Sequence, residues 1–237
     1  MTTMPPPAGV DLAPSEVLLL EPGDARVPRV YAIVKRFFDV LASAALIAVL
    51  SPILLAIAIA IKVDSKGPVF FRQERLGRNG RPFRIVKFRS MRTDNDDATH
   101  RAYVTSLIQG HADMQAGDNG KVYKLLNDDR ITRVGRFLRR TSIDELPQLF
   151  NVLGGSMSLV GPRPPLAYEV AVYQPHHLRR LIAKPGMTGL WQVSGRNALD
   201  FEQMIDLDLQ YVESRSFAKD LEILARTVPV VLGRSGG

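Results

Sequence analysis

The sequence has no cysteine, one tryptophan and four histidines in 237 residues. Without cysteine there is no disulfide, no thiolate metal site and no cysteine nucleophile. His100, His111, His176 and His177 have no spacing suited to a metal ion. The pair His176–His177 is expected on the surface. Negative charge is also short, with 24 Asp+Glu against 31 Lys+Arg, a net charge of +7. Such a chain favours anionic lipid surfaces or phosphate-bearing ligands. Nucleic acid suits the same charge, but no nucleic-acid module is recognisable, so it is not expected as a partner. A good signal peptide is missing too. The one long apolar run begins too far from the N-terminus, exceeds an h-region in length, and no clear cleavage site follows it. The remainder of the chain is therefore expected in the cytoplasm.

That apolar run is Phe37 to Ile61, FFDVLASAALIAVLSPILLAIAIAI, broken in polarity only by Asp39, Ser43, Ser51 and Pro52. Val40 to Ile61 is about 22 residues, or roughly 33 Å as a helix, long enough to cross a bilayer core. Proline at position 52 deletes a backbone hydrogen bond and clashes with the preceding turn, so a kink or break is expected at Ser51–Pro52. Lys35 and Arg36 precede the run; Lys62, Lys66, Arg72, Arg75, Arg78 and Arg81 follow it. Positive charge on both flanks gives the positive-inside rule no winner. A re-entrant helix satisfies both flanks, and a single span with one basic flank outside stays open. Ser51 is placed to satisfy a backbone group freed at the break.

Residues 1–29 are proline-rich and without periodicity, which reads as a disordered leader before one domain spanning 30–237. After the apolar run, Val69–Gln73 and Phe83–Arg89 form a hairpin pattern around Asn79–Gly80, a dipeptide suited to positive φ. In the second strand Arg84, Val86 and Phe88 share one face, and Phe83, Ile85, Lys87 and Arg89 the other. Apolar residues fall on both, so neither face need be solvated. Its basic residues read either as charges guarding a strand edge or as the wall of a phosphate site. Residues 93–127 are a polar excursion with some helix around 102–109; its acidic DNDD reads as a solvated turn. In DRITRVGRFLRR, Ile131, Val134, Phe137 and Leu138 lie at helical spacing among arginines.

The densest chemistry lies in TSIDELPQLFNVLGGSMSLVGPRP, residues 141–164. Pro147 requires a helix starting near Ile143 or Asp144, with Leu146, Leu149, Phe150 and Leu153 buried and Gly154–Gly155 as its stop. Asp144 and Glu145 then sit in the first turn, where a Ser142/Glu145 capping box is the plain explanation. The functional alternative rests on the neighbourhood. Arginines precede the pair and Gly161–Pro162–Arg163–Pro164 follows it. Paired carboxylates with phosphate oxygens suit a divalent cation, and arginine grips phosphate with two prongs. Phe201–Phe217 reads as helix; for Asp208 within it, salt bridging and catalysis both stand. Trp191 reads as a core residue.

With KRFFDV, the Ser-Pro within the apolar run, GPVFFRQERLG, FRIVKFRSM, TSIDELPQLFNVLGGSMSLVGPRP, KPGMTGLWQVSGRN and DLDLQYV in this order, the chain resembles the bacterial sugar transferases, the monotopic phosphoglycosyl transferases. The resemblance runs from about Tyr31 to the C-terminal region. It implies transfer of a sugar-1-phosphate from a UDP-sugar to undecaprenyl phosphate with release of UMP, using magnesium and an Asp-Glu dyad. Carried over, Asp144 is the nucleophile, forming a phosphosugar–enzyme intermediate, and Glu145 is its partner; both are the metal residues. Arg163, flanked by Pro162 and Pro164, would hold the nucleotide, with Arg139, Lys87 and Arg196 as further contacts. The family's membrane helix is re-entrant and breaks at its Ser-Pro, here Ser51–Pro52.

The expectation is therefore an α+β, mainly helical monotopic protein with a small β-hairpin. It sits in the bacterial inner membrane among membrane lipids, its catalytic domain facing the cytoplasm. This would be the minimal form, without the four-helix membrane region that precedes the catalytic part in many relatives. The LWQVSGRN segment is similar to hexose-transferring relatives, which favours UDP-glucose or UDP-galactose. A homodimer is left open. The rival class is a non-catalytic scaffold of a polysaccharide assembly, with the acid pair only capping a helix.

Overall fold

The computed structural model describes residues 27–92, 98–110, 115–117, 120–122 and 130–233. The leader expected over 1–29 falls almost entirely outside them, as does DNDD. The first element, α1 (Arg29–Asp64), contains the whole apolar run. It is helical throughout, including Ser51 and Pro52, so the expected break is not an interruption of the helix. Pro52 has no N–H to give to the carbonyl of Ala48, four residues back. Ser51 Oγ donates to that carbonyl instead, at 2.8 Å.

One stripe of α1 is seated along the rest of the protein. Phe38, Ala42 and Ile47 pack against the main core, while Leu54, Ile57, Ala58 and Ile61 join a second cluster with Phe88 and Leu138. Asp39, 2 % exposed, accepts the Leu159 N–H at 3.0 Å. Near the other end Asp64 accepts the Val134 N–H at 3.1 Å. The opposite stripe is apolar and bare; Val49 is 74 % exposed.

Strands β1 (Phe70–Leu76) and β2 (Pro82–Phe88) form the antiparallel hairpin, in the register Arg72↔Val86 and Arg75↔Phe83. Asn79 takes φ 57° and Gly80 φ 69° in the connection, as the dipeptide predicts. Both faces of β2 are used: Ile85 enters the main core and Phe88 the second cluster. Arg89, just past β2, is buried and donates to the carbonyls of Ser65 and Lys66, closing the end of α1.

Helix α2 (Ala98–Ile108) and the short pair β3 (Gln115–Gly117) and β4 (Gly120–Val122) belong to the polar excursion. Its two ends are stitched together by a Met91–Ile131 bridge. Helix α3 (Arg133–Arg140) starts at Thr132, whose hydroxyl accepts the Gly135 N–H. Leu138 is buried as its spacing predicts, but Phe137 is 60 % exposed among arginines.

Helix α4 (Gln148–Gly154) ends at Gly155, with φ 86°. Its buried face is Gln148, Leu149, Asn151 and Val152; Phe150 and Leu153, expected inside, are exposed. The shift has a physical cause. Asn151 turns inward because its side-chain amide bridges the β2 backbone, accepting from Val86 N–H and donating to Arg84 O.

Strand β5 (Ser158–Val160) pairs in parallel with β6 (Gly186–Thr188). Here the backbones lie almost atom on atom: a Cβ on Gly186 would sit 2.1 Å from Gly161 N, so only glycine fits. Between the two strands come α5 (Ala167–Val170) and a 3-10 segment His177–Ile182. The chain closes with α6 (Leu190–Ser194), α7 (Phe201–Ser214) and α8 (Phe217–Leu232). The single helix expected over 201–217 is thus α7, ending at Ser214, with α8 beginning at Phe217. Trp191 is a core residue, as expected.

Candidate active site

The acid pair stands on a 3-10 turn, Ile143–Glu145, between α3 and α4. Ser142 precedes it with φ 57° and ψ 15°, left-handed for a residue with a side chain. Holding serine there costs about 1–3 kcal/mol. No side-chain cap bond is made by Ser142. The capping box is therefore absent, and the plain explanation for the acid pair fails. Glu145 turns instead to β2, where Lys87 Nζ donates to its Oε1 at 2.6 Å. Lys87 is expected at a phosphate; the structure pairs it with a carboxylate.

Glu145 and Lys87 line a small cleft with Arg75, Ile85, Gln148, Arg163, Pro164, Gly186, Met187 and Gln192. Asp144, one residue away on the same turn, is not among its lining residues. The two carboxyls are driven apart. Burial pushes Asp144 up to about 6, aided by Glu145 and opposed by Lys87 and Arg139. Burial acts on Glu145 in the same sense, but Lys87 and Arg163 outweigh it and hold that carboxyl down at about 2. Paired acids with proton affinities set apart by their surroundings are the arrangement that acid–base and phosphoryl chemistry uses.

The remaining expected residues gather around this pair. Arg163 and Arg196 both act electrostatically on Glu145, and Arg139 on Asp144. Arg196 is half-buried with φ 49°, a strained backbone beside the acids. Pro162 and Pro164 are buried on either side of Arg163. Three cleft residues carried no sequence signal: Arg75, Gln148 and Gln192. Each lies inside a quoted motif, yet an arginine on a strand or an amide on a helix has no periodicity to single it out.

Asp208 is fully buried and hydrogen-bonded to Arg180, so the salt bridge expected as one of its two readings is formed. His177 is buried, contrary to expectation, whereas His176 is exposed. Both ring Nε2 atoms approach Glu202, and the three ligand atoms lie within 4.8 Å of one another. The sequence spacing gave no sign of this grouping, which Glu202 completes from α7. His177 Nδ1 accepts the Gln174 N–H at 3.0 Å, so its proton is on Nε2, pointing at Glu202.

Two adjacent carboxylates, one held ionised by its surroundings, with arginines to hold phosphate oxygens, fit a magnesium ion in donor chemistry.

Comparison with known proteins identifies the family. The family model for bacterial sugar transferases matches residues 30–234. An undecaprenyl-phosphate galactose phosphotransferase of Salmonella typhimurium is 42 % identical over 221 residues, covering 93 % of this chain and 45 % of that protein. A UDP-glucose:undecaprenyl-phosphate glucose-1-phosphate transferase of Caulobacter vibrioides is 44 % identical over 235 residues, covering 94 % and 79 %. A galactosyl transferase of Streptococcus agalactiae is 44 % identical over 208 residues, covering 87 % and 44 %. The chain spans about half the length of several of the curated relatives it matches. With the match running from the start of the apolar helix to the end of α8, the chain belongs to the bacterial sugar transferase family.

Proposed function

We propose that this chain transfers a hexose-1-phosphate from a UDP-hexose, glucose or galactose, to undecaprenyl phosphate, releasing UMP. The reaction would begin assembly of an exopolysaccharide, capsule or O-antigen. The observation that carries it is the divided acid pair, one carboxyl near 6 and one near 2, facing arginines in a protein with an apolar membrane-type helix.

In this reading the Asp144 carboxylate attacks the β-phosphorus of the UDP-sugar. The bond from that phosphorus to the bridging oxygen breaks, and UMP leaves with the electron pair. A phosphate oxygen of the lipid then attacks the same phosphorus, breaks its bond to Asp144 and restores the carboxylate. Glu145 remains ionised throughout, and Lys87 lowers the proton affinity of both acids. Arg163 and Arg196 grip phosphate oxygens. Asp144 and Glu145 would hold magnesium, which supplies charge neutralisation at the phosphates.

The membrane geometry is part of the proposal. Asp39 and Asp64 are 25 positions apart, roughly 38 Å along a straight helix, yet both are bonded to the same globular body. A crossing helix would carry one of these ends to the far side. We place both ends of α1 on the cytoplasmic face of the inner membrane, with the bare apolar stripe in one leaflet. In this reading the acid pair stands at the height of the lipid phosphate.

Two experiments test the reading. Purified chain with UDP-glucose or UDP-galactose, undecaprenyl phosphate and magnesium should release UMP, and Asp144→Asn should abolish release and the phosphosugar adduct seen by mass spectrometry. Full activity in that variant refutes the nucleophile. An inert wild type supports the scaffold instead. Because the chain lacks cysteine, single cysteines at Val30 and Val63 give clean labelling; modification from opposite sides of the membrane would refute the one-sided helix.

A further inference from the structure

Four consecutive carbonyls, Pro162 to Pro165, are each taken by a donor from elsewhere in the fold. Gly186 N–H donates to Pro162 O and Leu76 N–H to Pro165 O, both at 2.9 Å. Arg180 Nη2 donates to Arg163 O at 3.2 Å, and Arg75 Nη1 to Pro164 O at 3.0 Å. Prolines at 162, 164 and 165 have no N–H, so Arg163 carries the only backbone donor in the segment. A strand ladder cannot hold such a segment from its donor side. The fold holds it by its acceptors.

Two of the four donors are buried arginines, and burying a guanidinium is costly unless its donors are satisfied. Arg180 is backed by fully buried Asp208 and donates to Tyr173 Oη at 3.0 Å. Arg75 is steadied by Gln73 Oε1, which accepts from its Nε and Nη2. Both arginines are thereby oriented onto the backbone that carries Arg163.

We propose that Arg75 and Arg180, the latter backed by Asp208 and Tyr173, are positioning residues that fix the Pro162–Pro165 backbone and so aim the Arg163 guanidinium at the phosphates of the nucleotide sugar. This rests on the transferase reading above. Asp208 acts through Arg180 and takes no part in the chemistry.

The test uses the full chain in lipid nanodiscs and UMP release from UDP-glucose or UDP-galactose. Arg75→Gln, Tyr173→Phe and Asp208→Asn are each made alone and together with Arg163→Lys. Alone, Arg75→Gln and Asp208→Asn should raise KM for the UDP-sugar on the order of tenfold, with kcat and the pH profile little changed. Tyr173→Phe, which leaves the Arg163 carbonyl bond in place, should do less. With Arg163→Lys already present, each second substitution should change kcat/KM by less than about twofold, because both act through one guanidinium. The fall in Tm should be the same in both backgrounds, which a purely structural role shares and the kinetic coupling does not. Effects that multiply with Arg163→Lys overturn the proposal, as does a limb of the pH profile erased by Asp208→Asn. Arg75→Gln carries the same test if Asp208→Asn does not fold. A wild type inert with both donors overturns the transferase reading itself, a separate result.

Discussion

Replacing Lys87 by methionine tests whether that lysine sets the charge of the acid pair or merely contacts phosphate. Lys87 Nζ lies 2.6 Å from Glu145 Oε1, and both side chains are largely shielded from water. In the native protein burial pushes Asp144 up to about 6. On the proposed reading Asp144 must be ionised to attack, so turnover should be lost as pH falls through that value. At pH 7 about 90 % of Asp144 is ionised. Lys87 also holds Asp144 down, ahead of Arg139, so its removal should raise that carboxyl further above the usual carboxylate range. Each unit of rise is tenfold in proton affinity; a single unit would leave about half of Asp144 ionised at pH 7, a loss of roughly twofold from ionisation alone. The loss should be recovered near pH 9. The assay is kcat/KM for UMP release against pH at fixed ionic strength and subsaturating magnesium, so that the acid limb reports the metal-free carboxyl. An acid limb that stays at its native position, with a rate reduced equally at every pH, would refute the reasoning and return Lys87 to a plain phosphate contact.

Asp144→Asn should stabilise the protein while abolishing activity. A carboxyl raised from 3.8 to about 6 disfavours the ionised native state, and that cost is full above pH 6 and absent below about 4. In magnesium-free buffer at pH 7 the gain should be about 1–2 kcal/mol, read as a Tm a few degrees higher, and it should vanish by pH 4. An unchanged or lower Tm at pH 7 would count against the buried, raised carboxyl. Arg89→Met frees the carbonyls of Ser65 and Lys66 at the end of α1 and should cost about 2–4 kcal/mol in denaturant unfolding. Gly186→Ala drives a Cβ into Gly161 N and should leave no folded protein, judged by gel filtration and near-UV circular dichroism. Ser51→Ala strands the Ala48 carbonyl beside Pro52 and should lower Tm in bilayers by more than in detergent.

The sequence was informative wherever one local rule decided the outcome. Asn79–Gly80 specified the hairpin connection, and alternation along β2 showed that both faces would be covered. Gly155 stopped α4, and Ser51 satisfied the carbonyl that Pro52 abandons. Legibility ended where a distant partner overrode the local pattern. Asn151 faces inward because the β2 backbone needs its amide, which displaces Phe150 and Leu153 from the buried face. Ser142–Glu145 has the letters of a capping box, but Glu145 answers to Lys87, 58 positions earlier. Helical spacing put Phe137 inside, whereas the core takes Leu138 and leaves Phe137 among arginines. The acid pair, Arg163, Arg139 and Arg196 were legible from the motifs. Arg75 and Arg180 were not, since their targets are carbonyl oxygens and a carbonyl leaves no letter in the sequence.

Arg36 of α1 donates to the carbonyls of Val152 and Leu153, the last turn of α4. That helix follows directly from the turn bearing Asp144. On the proposed reading, the membrane helix and the attacking carboxylate are thereby one mechanical part. On the one-sided placement, such a helix is held by its buried apolar face and by attraction of its basic flanks to anionic headgroups. Turnover should therefore fall as anionic lipid is removed from the host vesicles at constant chain length.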